Sequence, residues 1–163
     1  MNIARAYIAT AAALPKRRRD PKPRPLPMPI DDIAGMPEGT RVILHFPPVA
    51  CNPNFHGARR KHWSAKKSYR QDCFYEAQSA GLNKRLKCIR AATGKVHLRI
   101  DFFPPPGVNP DKDNCIASFK AGQDGIADAL DVDDGRFEVE HVLHAEKRCC
   151  VVVTLLPNDG VAL

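Results

Sequence analysis

The run Arg41-Val42-Ile43-Leu44-His45-Phe46 is rich in β-branched and apolar residues and stops at Pro47-Pro48, which predicts a first strand. The segment from Val49 to about Trp63 carries Asn52, Pro53, Asn54 and Gly57 and reads as a loop, with Ser64 as the cap of a following helix. From there the period changes. Tyr69, Cys73, Ala77 and Ala80 recur at helical spacing while Lys66, Lys67 and Arg70 take the other side, so a helix is expected from about Ala65 to Ala80. Between Lys95 and Phe103 the period returns to two: Val96, Leu98 and Ile100 alternate with His97, Arg99 and Asp101 until three prolines and Gly107 end the strand. Ile116, Phe119, Gln123, Ile126, Ala127 and Leu130 form one stripe of a second helix, expected from about Cys115 to Leu130. Phe137 to Ala145 and Cys149 to Leu156 read as a terminal hairpin. The fold class expected is α+β: a single domain with a small mixed β-sheet and two principal helices.

Composition adds the boundaries. The chain has 163 residues, 44% hydrophobic and 26% charged, the balance of one ordinary globular domain. Residues 1–40 hold Pro15, Pro21, Pro23, Pro25, Pro27, Pro29 and Pro37 around the basic run Lys16 to Arg19, and are expected to form a flexible or wrapping extension. The folded domain is expected over 41–157, with a short tail over 158–163. Ala11 to Leu14 is too short to span a bilayer and precedes its basic run instead of following one, which argues against a signal peptide and a membrane partner. Six cysteines without a CxxC pair point to reduced thiols in a cytoplasmic protein.

Charge changes the picture most when divided along the chain. The net +7 resolves into +3 for residues 1–40, +11 for 41–100 and −7 for 101–163. A basic middle attracts a phosphate backbone, and a carboxylate-rich segment in the same small domain repels it unless cations intervene. That pairing suggests a metal-dependent enzyme acting on nucleic acid; surface charge that only solvates is the plainer alternative. The basic positions expected to meet DNA are Arg59, Arg60, Lys61, Lys66, Lys67 and Arg70. Trp63, Tyr69, Phe74 and Tyr75 are interleaved with them and are candidates for base stacking, although Phe74 and Tyr75 also suit a helix core.

The candidate chemistry lies further on. Asn109-Pro110-Asp111-Lys112-Asp113-Asn114 reads as an extended loop entering the second helix, where residues two apart face one way and Asp111 and Asp113 can present two carboxylates to a hard cation. Asp133-Asp134, just after the helix, can add a third and a fourth; helix capping and turn formation are the commoner fates of such residues. Lys120 falls about 20° from Asp113 around the helix axis and leans toward the cluster, or else pairs locally with Asp113, Asp124 or Asp128. His141-x-x-His144 followed by Cys149-Cys150 is not expected to bind a metal, because strand residues three apart face opposite sides.

Asp111-x-Asp113-Asn114, Phe119-Lys120, Asp124-Gly-Ile-Ala-Asp-Ala-Leu130 and Val132-Asp133-Asp134 together resemble the RusA-type Holliday-junction resolvases, bacterial and prophage-encoded endonucleases. The pattern spans 109–139 and extends more loosely over 41–156. The resemblance implies a RusA-like fold and a homodimer that cleaves phosphodiester bonds in four-way or other branched DNA during recombination and repair. It implies magnesium, with manganese as a substitute, held by Asp111, Asp113 and Asp134 with Asp133 beside them, and Lys120 as the catalytic lysine. Asp131 stands where similar sequences often carry a helix-ending glycine. A non-catalytic DNA-binding module, its carboxylates serving as caps and surface, is the alternative.

Overall fold

The structure, a computed structural model, describes residues 27, 30, 33, 35–85 and 94–156. The N-terminal basic run, the basic residues Lys87 and Arg90, Cys88 and the tail 158–163 lie outside the described residues. Four strands, β1 (Thr40–His45), β2 (Val96–Phe103), β3 (Phe137–Leu143) and β4 (Cys150–Leu155), and two long helices, α1 (Arg59–Ser79) and α2 (Lys112–Leu130), make up an α+β domain with a mixed sheet. Sheet order is β1-β4-β2-β3; β4 is antiparallel to both its neighbours and β3 is parallel to β2.

That order corrects the expected terminal hairpin, since β3 and β4 do not pair but lie on opposite sides of β2. The reason is burial. Every residue of β4 is buried, which an apolar run achieves only in the interior of a sheet covered on both faces. β3 keeps exposed Glu138 and Glu140 and takes the edge. A parallel β2/β3 pair needs a crossover connection, and α2 provides it.

Both helices pack on one face of the sheet. Val42, Leu44, Leu98, Ile100, Phe102, Val151, Val153 and Leu155 meet Tyr69, Cys73, Ala77, Phe119, Ile126 and Leu130 in the main core. The Tyr69 hydroxyl donates to the His45 carbonyl at 2.7 Å, tying α1 to the end of β1. On the other face Phe103, Cys150 and Val152 meet Ile30, which is itself buried, with Ile33 and Met36 beside it.

Both helices begin earlier than the hydrophobic period indicates. α1 starts at Arg59, so Arg59, Arg60 and Lys61 form its first turn instead of a loop, and Ser64 lies inside the helix. Ala58 ends the extended approach without a side-chain cap, and tertiary contacts hold the added turn: His62 Nδ1 lies 2.7 Å from the Ala50 carbonyl and its ring stacks on Phe55. α2 starts at Lys112 with Asp111 at its N-cap. Its end is a left-handed residue, Asp131 at φ 49° and ψ 47°, after which the Val132 N–H returns to the Ala127 carbonyl at 3.1 Å.

Asp101, at an outward-facing position of the strand pattern, is fully buried on the second face of the sheet. Its carboxylate accepts from Arg99 at 3.0 Å and lies 2.7 Å from His144 Nε2, while the His144 ring stacks on Phe103 at 4.2 Å. His141, three residues earlier, stacks instead on Phe102 in the helix-covered face. The two histidines therefore diverge, as strand alternation requires.

Candidate functional site

The acidic candidates come from the two ends of α2. At its start, Asp111 accepts a hydrogen bond from Asn114 Nδ2 at 3.3 Å, and Asn54 in turn donates to Asn114 Oδ1 at 3.3 Å. This corrects the extended Asp111/Asp113 pair: Asp111 is the extended N-cap, but Asp113 is already in the first helical turn, so period-two geometry does not apply between them. Asp113 there complements the positive end of the helix dipole. Lys147 Nζ, bonded to Asn109 Oδ1 at 2.8 Å and to the Val108 carbonyl at 2.7 Å, fixes the loop leading in.

Beyond the other end, Asp133 and Asp134 occupy a tight turn into β3. Asp133 accepts from the Gly135 N–H at 2.8 Å, and Lys95 donates to the Gly135 carbonyl at 2.9 Å, which ties the turn to the start of β2. Asp134 meets Lys120, whose ammonium lies 2.5 Å from Asp134 Oδ2 and 3.1 Å from Asp124 Oδ1. The structure thus brings two sequence-selected residues together across the helix-to-strand turn. Lys120 holds the Asp134 carboxyl below its ordinary range, and Asp134, with Asp124, raises the lysine above its own.

Oxygen donors of this kind suit a hard cation. As placed, however, no three Asp, Glu, His or Cys side chains among the described residues converge at metal-ligating spacing. Asp111, Asp133 and Asp134 instead contact Asn114, the Gly135 amide and Lys120.

Basic residues line α1 beside this region. From Arg59 to Gln71 the helix has six basic and no acidic residues. Arg59, Arg60 and Lys61 crowd a first turn that holds no acid, against the helix dipole, an arrangement that an approaching anion relieves. Lys66 and Lys67 face α2 across a shallow groove of ≈ 310 Å³ that also includes Trp63, Arg70, Lys120 and Asp124. Arg70 is bound in a fork to Asp128 at 2.7 and 2.8 Å, which raises its pKa, while its side chain stays exposed. Trp63 is 68% exposed and Tyr75 56%, while Tyr69 is buried in the core; Phe74, half-buried, packs against that core.

The five cysteines among the described residues are buried and form no disulfide, and desolvation raises Cys73 to about 12 and Cys115 and Cys150 to about 11, so these three are not ready nucleophiles. Sequence reasoning missed the Arg99–Asp101–His144 cluster. The charge on Asp101 argued for exposure, and only the covered second face reverses that. No described helix is long and apolar enough to cross a membrane.

No protein-family model matches the chain. A protein of Xylella fastidiosa strain Temecula1, named only as an uncharacterized protein, is 33% identical over 126 residues, covering 76% of this chain and 80% of that one. On that extent of shared sequence, the chain belongs to the same family as the Xylella protein.

Proposed function

We propose that the protein is a magnesium-dependent endodeoxyribonuclease of RusA type that cleaves branched DNA, four-way junctions included, in recombination and repair, acting as a homodimer. The observation that carries this reading is the Lys120–Asp134 contact beside a basic helix. A lysine and a carboxylate singled out by their spacing in the sequence meet at 2.5 Å, next to Lys66 and Lys67 across an open groove.

Asp111, Asp113 and Asp134, with Asp133, would hold the magnesium, for which manganese is the expected substitute, and the ion would supply Lewis-acid stabilisation of the phosphate and an activated water. The protein's own residues set the rest. The cations of α1 position the phosphate backbone without reading bases. Lys120, about half exposed, has its ammonium at the groove, where it offsets charge gathering on the phosphate. Asp134 and Asp124 keep that ammonium protonated and aimed.

A second reading is favoured by the local partners of the carboxylates. Asp133 caps the turn, Asp111 holds Asn114, and no group of three converges among the described residues, as a non-catalytic DNA-binding module requires. Incubating the protein with a labelled four-way junction and a linear duplex, with and without Mg²⁺, separates the two. Mg²⁺-dependent cutting of the junction, abolished in Asp113→Asn with junction binding retained, is the expected result. Binding unaffected by Mg²⁺ with no cleavage replaces the nuclease by the binding module.

A further inference from the structure

The groove beside Lys120 continues along α1. Trp63, Lys66, Lys67 and Arg70 border its first part, and Lys67, Arg70, Gln71, Phe74 and Tyr75 border the next, so Lys67 and Arg70 are common to both. An exposed aromatic stands at each end, Trp63 and Tyr75, twelve residues and hence about 18 Å apart along the helix. Lys67 Nζ lies 5.8 Å from the centre of the Trp63 ring, a cation beside a π-face.

The opposite bank, on α2, carries Asp124 and Asp128, which would repel phosphate if uncompensated. Each is met by a cation: Asp124 by Lys120 at 3.1 Å and Asp128 by Arg70 at 2.7 Å. Arg70 thus offsets Asp128 while Lys120 is shared between Asp124 and Asp134, and Lys66 and Lys67 add the positive charge of the trough. Aromatic faces at intervals along a positive trough suit a strand with unstacked bases; pairs inside a duplex are stacked on both faces and offer none to them.

We propose that this trough on α1 binds unpaired nucleotides of a DNA substrate, with a base stacked on Trp63, a second near Tyr75, and the intervening phosphates on Lys66 and Lys67. The proposal rests on the nuclease reading for the presence of DNA at this site and extends it to the substrate class, branched DNA with a single-stranded segment. Trp63 shares its groove with Lys120, so a strand seated there leads directly to the candidate catalytic lysine.

Trp63 is the sole tryptophan, so its fluorescence reports this position alone. The test titrates the full chain in EDTA, where no cleavage occurs, with an oligo-dT strand, a blunt duplex and a four-way junction, following fluorescence and the anisotropy of labelled DNA together. Oligo-dT is expected to quench Trp63 as it binds, and the blunt duplex to bind without comparable quenching. Trp63→Ala, checked for folding by circular dichroism, is expected to weaken oligo-dT binding about tenfold while Trp63→Phe restores most of it. Oligo-dT that fails to bind, or binds without quenching Trp63, overturns the proposal. A Trp63→Ala variant that binds oligo-dT normally but loses a dimer on size-exclusion chromatography assigns the surface to a second copy of the chain and also overturns it. A separate Mg²⁺ cleavage assay of the wild-type chain keeps the two failures distinct: quenching without any cleavage sinks the nuclease reading alone, and cleavage without quenching sinks only the single-strand trough.

Discussion

At the scale of single residues, Lys120 and Asp101 show how the same kind of ion pair takes opposite roles according to burial. Lys120 is about half exposed and its pairing with Asp134 and Asp124 is screened by solvent, so the pair is a device for aim and charge more than for stability. Asp134 has a lowered and Lys120 a raised pKa, so the contact is present at neutral pH; it is lost as acid protonates Asp134 below the ordinary carboxylate range, or as base deprotonates Lys120 above the ordinary lysine range. Lys120→Ala is expected to let the Asp134 pKa rise toward its ordinary value, measured by carboxyl NMR titration. The same variant is expected to slow single-turnover junction cleavage by about a hundredfold or more while junction binding is kept; a rate within about threefold of wild type would remove Lys120 from the chemistry. Asp101 is fully buried, and its side chain accepts from Arg99 at 3.0 Å and lies 2.7 Å from His144. Removing it strands those partners, so Asp101→Ala is expected to cost about 3–5 kcal/mol in urea unfolding with no change specific to cleavage.

Among the elements, the α1–α2 contact decides where the candidate groove lies. α2 presents Gly122 and Gly125 to α1, and a Cβ added at Gly125 would stand 2.3 Å from the Arg70 carbonyl oxygen, a backbone atom that cannot turn aside. The helices therefore touch backbone to backbone at the turn that carries Arg70, close to Lys66, Lys67 and Lys120. Gly125→Ala improves intrinsic helix propensity by about 1 kcal/mol, but overpacking here is expected to outweigh it and give a net destabilisation of about 1–3 kcal/mol. Equilibrium urea denaturation checks the sign: a stabilised variant would mean the helices stand further apart. A Cβ added at Gly122 would stand 2.6 Å from the Phe119 ring and 3.0 Å from the Tyr69 ring, both buried in the core, so a substitution there also needs the core to shift.

For the whole molecule, charge is separated by element: the basic residues gather on α1 and the acidic ones follow α2 and its turns. Replacing Arg59, Arg60, Lys61, Lys66 and Lys67 by glutamine is expected to weaken DNA binding for every sequence alike. For every phosphate that a cation no longer neutralises, the log–log salt dependence should flatten by about 0.9 on B-form duplex. Filter binding or anisotropy across a salt series reads that slope, and an unchanged slope would take α1 out of the interface. Arg70→Gln should add little to it, because its guanidinium is already engaged by Asp128.

The sequence by itself determined the identity of the four strands and two helices, because period-two and period-3.6 burial are local consequences of backbone geometry. It also marked Lys120, Asp134 and the cations of α1, whose types and spacing need no tertiary information to be noticed. Three matters waited for the tertiary structure. Strand neighbours depend on which segment most needs burial on both faces, so β4 went between β1 and β2 where chain order suggested a hairpin with β3. Helix starts depend on contacts made by the first turn, so His62 against Ala50 carried α1 back past Ser64, and Asp113 entered α2 instead of extending beside Asp111. Finally, an alternating strand names two faces without saying what covers either, and only the covered second face, where Ile30 packs, shows Asp101 buried with Arg99 and His144 as its partners.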